Sequence, residues 1–196
     1  MRVLVTGSKG YVGSRLCQIL NKKHRNSIGI IGLDSNFYKL KKSFENKNIL
    51  KDIRDVKLQD LKNIDAVIHL ASLSNDPLGS LNEKLTRDIN HKATTKIAKL
   101  SKKMGIKRFI FVSTQSIYGI SKYKNKTIKE SHKNIKPITE YAKSKLRAEK
   151  DILKLADNNF CVVILRPSTV HGPSENFRSD IVLNNLCASA YTKKKI

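Results

Sequence analysis

Short apolar runs alternate along this chain with segments in which apolar residues recur every three or four positions. The runs have the length and continuous apolar character of strands buried on both faces, and the longer segments have the period of helices. Strands that alternate with helices pair in parallel, because a crossover helix returns the chain to the same edge of the sheet. The sequence therefore predicts an α/β fold, a doubly wound parallel sheet with helices on both faces.

The predicted elements follow one another without an internal repeat or a low-complexity segment. Strands are expected at 3–5, 28–33, 49–53, 66–71, 109–112 and 161–165, and helices at 11–20, 89–104, 139–156 and 181–191. Gly105 stands where a helix C-cap is expected. The polar and basic segment 121–136 is expected to form a surface loop.

The net charge is the unusual feature of the composition. Among 196 residues, Lys and Arg number 39 and Asp and Glu 16, which gives a formal charge of +23 at pH 7. Such a charge is typical of nucleic-acid-binding proteins, but the lysines are spread over nearly every predicted helix surface and loop and form no basic stripe with aromatic residues. We therefore expect a solvated basic surface and no specific nucleic-acid partner, with a nucleic-acid binder kept as a rival hypothesis.

The cysteines and the apolar runs indicate a cellular compartment. Cys17, Cys161 and Cys187 are odd in number and widely spaced, with no CxxC pair, so the sequence predicts neither a disulfide framework nor a metal site. The first residues enter a strand directly, without the features of a signal peptide. No apolar run approaches the roughly 18 residues that a membrane span needs. These features predict a soluble cytoplasmic protein with no membrane partner.

A glycine-rich turn joins the first predicted strand to the first predicted helix. Gly7, Gly10 and Gly13 are spaced by three residues, which allows a tight turn and lets the backbone approach a pyrophosphate at the helix N-terminus. Asp34 closes the second strand about 20 residues further on, where a carboxylate accepts hydrogen bonds from a ribose diol. The pattern predicts a dinucleotide site, and Asp34 favours NAD over NADP because a carboxylate repels a 2′-phosphate.

A tyrosine and a lysine four residues apart form a second candidate site. Tyr141 and Lys145 share one face of a predicted helix, so the ammonium can stabilise a phenolate and lower the phenol pKa from its usual value of about 10. A lysine-rich chain produces this spacing by chance as well. Thr114 and Ser116 add hydroxyls after the fifth predicted strand, at the edge where open α/β sheets bind ligands.

In this order and spacing, the motifs resemble the extended short-chain dehydrogenase/reductase family, in its NAD-dependent nucleotide-sugar epimerase and dehydratase branch. The resemblance covers essentially the whole chain and implies a Rossmann fold. The matching features are the TGxxGxxG turn at 6–13, Asp34, Asp52-Ile53, His69-Leu70-Ala71-Ser72, Asn90 with Thr94, Thr114, Tyr141 with Lys145, and Leu165-Arg166-Pro167 followed by Gly172-Pro173.

The resemblance also implies roles for individual residues, with NAD as cofactor and a nucleotide sugar as substrate. Tyr141 would remove the proton of a sugar hydroxyl, Lys145 would hold the ribose and lower the phenol pKa, and Thr114 would bind the same substrate oxygen. The cofactor-binding set is Gly7, Gly10, Tyr11, Val12, Gly13, Asp34, Asp52, Ile53, Leu70, Ala71, Ser72, Asn90 and Lys145. Substrate contacts are expected at Ser74, Ser116 and Thr169. Asn90 and Thr94 also fit a role in orienting the backbone near the site.

Departures from the family pattern favour one branch of it. Sugar 4,6-dehydratases of the family have an Asp-Glu pair directly after the threonine, whereas this chain has Gln115 and Ser116, neither of which is a practical acid or base. An epimerase is therefore favoured over a dehydratase. Thr169 stands where an Asn often contacts the substrate diphosphate, and Glu140 stands where a proline is frequent. His69 and Cys17 are expected to pack in the core rather than to act in catalysis.

The expected organisation is an NAD-binding Rossmann domain at 1–179 and the beginning of a substrate-binding region at 180–196. Family members usually continue further, so we expect a C-terminally truncated chain whose substrate region is largely absent, with the apolar face of the last helix partly uncovered. The leading hypothesis is an NAD-dependent nucleotide-sugar epimerase that acts by transient hydride transfer at a sugar carbinol carbon. The alternatives are a nucleotide-sugar reductase or dehydratase and a non-catalytic dinucleotide-binding module. A homodimer, and activity of this chain alone, are left open.

Overall fold

The sheet of this protein has the predicted architecture. The computed structural model describes residues 1–37, 39–40, 42–74, 76–120, 127–133 and 135–194, with the backbone alone for 76–78. The strands are β1 (Arg2–Thr6), β2 (Gly29–Asp34), β3 (Lys47–Leu50), β4 (Ala66–His69), β5 (Arg108–Val112) and β6 (Cys161–Leu165). They pair in parallel in the order β3-β2-β1-β4-β5-β6. This is the doubly wound order whose direction reverses between β1 and β4, so the predicted fold class is confirmed.

The helices lie between the strands. They are α1 (Tyr11–His24), α2 (Asp76–Leu81), α3 (Glu83–Arg87), α4 (Thr94–Lys103), α5 (Glu140–Leu153) and α6 (Val182–Lys193), and a π-helical stretch at Asp88–Ala93 joins α3 to α4. Gly105 has a φ of +73° after α4, and the Ile106 amide donates to the Ser101 carbonyl at 3.1 Å. The predicted C-cap is therefore confirmed. The sequence did not predict α2 and α3, because both are short, α2 contains a proline and a glycine, and α3 is mostly polar.

Several predicted segments differ from the structure or lie partly outside it. The strand expected at 66–71 ends at His69. The strand expected at 49–53 is wrong at its end, because β3 stops at Leu50 and Ile53 opens a 3₁₀ turn, Ile53–Asp55. Asp52 caps that turn by accepting a hydrogen bond from the Arg54 amide at 2.8 Å. The loop expected at 121–136 includes 121–126 and 134, and the region expected at 180–196 includes 195–196, all of which lie outside the described residues.

The core occupies both faces of the sheet, because side chains alternate between the faces along each strand. Leu4 faces the larger cluster, which includes side chains from α4 and α5, whereas Val3 and Val5 face the cluster around Cys17 of α1. Burial raises the pKa of the Cys17 thiol to about 12, as expected for a core cysteine. In the described part of the chain, no helix combines the length and apolar character needed to cross a bilayer.

Candidate active site

The candidate residues gather at the carboxyl edge of the sheet, around the reversal point between β1 and β4. The glycine-rich turn follows β1, the segment 70–73 follows β4, and Thr114 follows β5. Ligands of open α/β sheets bind in the crevice outside the carboxyl ends of the strands, at such a reversal point. The parallel topology thus brings together residues that are more than 100 positions apart in sequence.

The glycines of the turn are required by close backbone approach. Gly7 has a φ of +72°, and a Cβ on it would lie 2.7 Å from the Ala71 nitrogen. A Cβ on Gly13 would lie 1.9 Å from the Gly7 carbonyl oxygen. At Gly7 the turn is packed directly against the segment that follows β4, and at Gly13 the start of α1 is packed against the turn itself. Neither position therefore has room for a side chain.

The N-terminal end of α1 is suited to an anionic ligand. Its N-cap, Gly10, supplies no side-chain hydrogen bond, and the first turn contains no acidic residue. The amides of Tyr11 and Val12 have no acceptor within the helix, since the first turn lacks preceding carbonyls. These donors and the helix dipole favour a phosphate at this end. Tyr11 and Val12 therefore offer their backbone to a ligand.

Asp34 is fixed by two backbone amides. Its Oδ2 accepts from the Lys9 amide at 2.9 Å and its Oδ1 from the Asn36 amide at 2.7 Å. Each carboxylate oxygen has a second lone pair, so both can still bind a hydroxyl. Asp34 lines a cavity of about 260 Å³ together with Lys9, Asn36, Leu40, Ser43, Asn48, Ile49 and Leu50. This cavity is the place where the structure can accept a ribose diol.

Lys9 and Glu45 are site residues that sequence reasoning missed. The buried Lys9 ammonium donates to Ser43 Oγ at 2.9 Å, to the Lys42 carbonyl at 3.2 Å and to Glu45 Oε2 at 3.4 Å. Hydrogen bonds, among them those from Ser43 and the Glu45 amide, outweigh burial and lower the pKa of the Glu45 carboxyl. This pair ties the segment 42–45 to the glycine-rich turn. No local pattern signals a partner 36 residues away.

Asp52 and Ile53 lie outside this cavity. Hydrogen bonds from Arg54 lower the pKa of the Asp52 carboxyl, and the two side chains form an ion pair with an N–O distance of 2.8 Å. Ile53 is buried in the larger core cluster. The structure therefore shows Asp52 engaged with its own turn and Ile53 engaged in packing.

The side chain of Asn90 holds the segment after β4 through two hydrogen bonds to its backbone. Its Oδ1 accepts from the Leu73 amide at 2.8 Å and its Nδ2 donates to the Leu73 carbonyl at 3.0 Å. Asn90 is fully buried, so its amide orients the segment that contains Leu70, Ala71 and Ser72. The structure thus gives Asn90 the backbone-orienting role that the sequence had left open.

His69 stabilises the floor of the site. Its Nδ1 lies 2.7 Å from Thr6 Oγ1 and its Nε2 lies 2.9 Å from Thr94 Oγ1. Its ring lies 5.9 Å from the ring centroids of both Phe109 and Phe111. Complete burial lowers the pKa of His69 to about 3, so the imidazole is neutral near pH 7 and joins β1, β4 and α4.

Lys145 reaches from α5 to the end of β5. Thr139 caps α5 by accepting from the Ala142 amide at 3.2 Å, which places Tyr141 in the first turn. The Lys145 ammonium donates to the Val112 carbonyl at 2.9 Å and lies 4.8 Å from the Phe111 ring centroid. Burial lowers the pKa of Lys145 to about 7, against the opposing charge of Glu149.

Thr114 lies just beyond that contact. It caps the 3₁₀ turn Gln115–Tyr118, and its Oγ1 accepts from the Ser116 amide at 3.1 Å and donates to Ser116 Oγ at 3.2 Å. Thr114 lies at the carboxyl end of β5, two residues after Val112, whose carbonyl Lys145 binds. The fold therefore brings Thr114 and the Tyr141–Lys145 helix to the same edge.

Two contacts that the sequence did not reveal hold Tyr141 in place. A Cβ on Gly79 would lie 3.1 Å from Tyr141 Cβ, so α2 packs closely against the first turn of α5. Glu140, where the family often has proline, is buried and accepts from Arg87 at 3.2 Å and Arg147 at 2.5 Å. An ion-paired carboxylate thus anchors the start of the helix that carries Tyr141.

The predicted substrate residues are less enclosed. Ser74 Oγ accepts from Arg178 at 3.1 Å, and Thr169 is exposed. Ser116 lines a cavity of about 1040 Å³ that also contains Tyr118 and Arg166. Thr114, Tyr141 and Lys145 are not among the described residues that line it, so this cavity adjoins the candidate reaction centre without forming it. Within the described residues, no group of three His, Cys, Asp or Glu side chains could hold a metal ion.

Known proteins match nearly the whole chain. The profile of the NAD dependent epimerase/dehydratase family matches residues 3–196. A UDP-glucose 4-epimerase of Vibrio cholerae is 32% identical over 192 residues, covering 90% of this chain and 55% of the relative. A human dTDP-D-glucose 4,6-dehydratase is 32% identical over 187 residues, covering 89% and 52%.

Solved structures match as well. The structure of UDP-glucuronic acid 4-epimerase from Bacillus cereus in complex with NAD has a TM-score of 0.80 and 27% identity, over 100% of this chain and 64% of its own. The chain thus spans between about half and two thirds of the length of these relatives.

Proposed function

The chain belongs to the NAD dependent epimerase/dehydratase family, and on this basis we propose that it binds NAD and interconverts the epimers of a nucleotide sugar. The main support is the position of Thr114, Tyr141 and Lys145 at one sheet edge, with the Lys145 ammonium buried against the Val112 carbonyl. A protein that only bound a dinucleotide would need neither Thr114 nor Tyr141.

The glycine-rich turn and Asp34 fit the cofactor. The backbone of Gly10, Tyr11 and Val12 would bind the pyrophosphate at the N-terminus of α1. Asp34 would accept hydrogen bonds from the adenosine ribose, since each of its oxygens keeps a free lone pair. The Lys9 ammonium beside it is already bound by Ser43 and Glu45, which leaves it less able to attract a 2′-phosphate.

The catalytic residues would move a proton while the hydride moves. NAD, when bound, would supply the acceptor for a hydride from a sugar carbinol carbon and the donor for its return to the opposite face of that carbon. Tyr141 takes the proton of the hydroxyl on that carbon as a general base. The Lys145 ammonium would stabilise the phenolate, an interaction that the burial of Lys145 strengthens, and Thr114 would hydrogen-bond the same substrate oxygen. After the keto sugar has turned over, Tyr141 would return the proton to the same sugar oxygen.

Alternatives within the family are less favoured. Elimination of water needs an acid and a base beside the threonine, and Gln115 and Ser116 supply neither. The relatives include both 4-epimerases and dehydratases. We also propose that 1–179 forms the cofactor domain and that 180–196 begins the substrate region. A cytoplasmic location, a role in carbohydrate metabolism and a homodimer stay predictions.

Two measurements test the proposal. NADH binding, followed by fluorescence, should be retained in wild type and in Tyr141→Phe. Turnover of a panel of nucleotide sugars should fall about 10²-fold or more in Tyr141→Phe, measured on this chain and on one extended by the C-terminal region of the Vibrio cholerae relative. Tyr191→Phe, the same change at an exposed position of α6, should alter neither.

The outcomes separate the parts of the proposal. Absence of NADH binding in wild type contradicts the cofactor assignment. Retained turnover in Tyr141→Phe means that another group takes the proton. Release of water from the sugar, detected by mass, identifies a dehydratase instead of an epimerase.

A further inference from the structure

A segment near the end of the chain lies across the N-terminus of α1. The Tyr11 hydroxyl donates to the Gly172 carbonyl at 2.7 Å, and Ser174 Oγ donates to the Tyr11 carbonyl at 2.6 Å. Two positions earlier in the turn, Asn176 Nδ2 donates to the Lys9 carbonyl at 2.9 Å. The same turn that offers amides to a phosphate therefore uses its carbonyls and one hydroxyl to hold the segment 172–176.

The network around the Tyr11 hydroxyl is closed. Asn184 Nδ2 donates to Tyr11 Oη at 3.0 Å, and Asn184 Oδ1 accepts from the Gly172 amide at 3.0 Å. Tyr11 Oη completes the ring of contacts through the Gly172 carbonyl. Each of the three residues contacts the other two, so a shift of the turn reaches α6 through this ring.

Polar contacts of this kind are the main anchor of α6. Asn184 is the buried residue of this helix, with 5% of its surface exposed. The apolar side chains Val182, Leu183 and Leu186 are exposed by 70, 44 and 39%. Packing therefore contributes less to the position of α6 than the Asn184 hydrogen bonds do.

We infer that Tyr11 is a positioning residue that couples cofactor binding to the order of α6. The inference rests on the proposed function, because it needs a dinucleotide at the N-terminus of α1. A ligand that holds the Tyr11 amide also restricts the Tyr11 side chain, and through it Gly172 and Asn184. Coupling between two sites is reciprocal, so an ordered α6 strengthens cofactor binding in turn.

Hydrogen exchange measured by mass spectrometry tests the coupling. In wild type, NAD should slow exchange in peptides covering 7–14 and also in peptides covering 172–193. Tyr11→Phe keeps the backbone amide and removes the hydroxyl. In this variant NAD should still slow exchange at 7–14, and the slowing at 172–193 should be lost.

Affinity gives a second readout. NAD affinity should fall about five- to ten-fold in Tyr11→Phe, the effect of one or two hydrogen bonds. Asn184→Ala should cause a similar loss, and the double variant should lose no more than either single variant, because the ring is already open. Tyr191→Phe is the matched control, since the same hydroxyl is removed from an exposed tyrosine of α6.

Each outcome has a distinct meaning. If the role of Tyr11 were merely structural, Tyr11→Phe would exchange faster than wild type at 172–193 by the same factor with and without NAD. This result would overturn the coupling. Slowing at 7–14 without slowing at 172–193 in wild type also overturns it and leaves the proposed function intact. No slowing at either segment contradicts cofactor binding and the coupling together. If the losses of NAD affinity add up in the double variant, Tyr11 and Asn184 act separately, and coupling through their shared ring of hydrogen bonds is overturned.

Discussion

Individual buried polar residues define the floor of the site. His69 and Lys145 are both fully buried basic groups, and burial lowers the pKa of each. His69 avoids this cost by staying neutral between two threonine hydroxyls, whereas Lys145 donates to a carbonyl beside the candidate reaction centre. Residues of one charge type thus have different roles because their hydrogen-bond partners differ.

Protonation of His69 should make the protein less stable in mild acid. Its pKa is 6.5 in an unfolded chain and about 3 in the fold, so between these values the unfolded state binds the extra proton. The free energy of unfolding is then highest above pH 6.5. As the pH decreases below that value, it falls by up to about 1.4 kcal/mol per pH unit. Urea unfolding at pH 6.5 and pH 5.0 should show the loss.

The variants isolate the histidine. His69→Gln should remove most of the difference between the two pH values, and His24→Gln, at an exposed position, should leave it unchanged. Carboxyl groups with lowered pKa values, such as those of Glu45 and Asp52, also destabilise the fold when they are protonated, but only at lower pH. An undiminished difference in His69→Gln would show that another group titrates.

Asp34 should determine the preference for NAD. Its carboxylate repels a 2′-phosphate and binds the free diol. Asp34→Asn removes the charge and should reduce the ratio of NAD to NADP affinity about ten-fold or more, the equivalent of about 1.4 kcal/mol. Direct titration of both cofactors measures the ratio, with the exposed Asp55→Asn as control. Equal affinities in wild type would contradict the role of Asp34.

At the scale of elements, α5 is the helix on which the site depends most. Its start is held by Glu140 with Arg87 and Arg147, and its second half by the ion pair of Glu149 with Arg166. Arg166 also donates to the Tyr118 hydroxyl at 2.8 Å and to the Glu130 carbonyl at 3.1 Å. These contacts join α5 to the ends of β5 and β6, which keeps Tyr141 and Lys145 above the sheet edge.

Loss of Arg166 should destabilise the fold more than loss of a surface ion pair. Glu149 is 1% exposed, and a buried charge without its partner costs about 3–5 kcal/mol. Arg166→Leu should show a loss of this size in urea unfolding. Lys92→Leu breaks an exposed pair with Asp88 and should cost much less, because solvent screens such pairs.

A double variant checks the reason for this difference. Arg166→Leu with Glu149→Leu removes both charges and should recover part of the stability. Equal effects of Arg166→Leu and Lys92→Leu would contradict the importance of the buried pair.

At the scale of the whole molecule, the charge and the site belong to different parts of the protein. The net charge of +23 is carried by lysines spread over the surface. The candidate chemistry depends on buried or half-buried groups at one sheet edge. Screening by salt acts on the exposed charges and much less on the buried ones.

This separation predicts that salt weakens the binding of one ligand much more than that of another. Binding to random DNA should be weak and should fall at least ten-fold between 50 and 200 mM salt, because it depends on released counterions. NADH affinity should change about two-fold or less over the same range, because the cofactor carries only two phosphates and its binding depends mainly on the fit to the cavity. Fluorescence anisotropy with labelled DNA and NADH fluorescence measure both. Tight DNA binding at 200 mM salt would favour the nucleic-acid hypothesis.

The sequence by itself determined features that depend on neighbouring residues. The alternation of strands and helices follows from local apolar periods, and these predicted the sheet and four of the helices. The glycine spacing at 7–13 and the four-residue spacing of Tyr141 and Lys145 are local as well. Each can be recognised because the residues interact with the backbone turn or helix in which they lie.

Only the tertiary structure decided which distant side chains meet. Tyr11 and Asn184 are 173 positions apart, and Lys9 and Glu45 are 36 apart, so no period or motif connects them. The end of β3 was predicted too late because Asp52 caps a 3₁₀ turn in a short, edge-strand region. Such contacts form when packed elements bring buried polar atoms together, and each atom must then find a partner within reach.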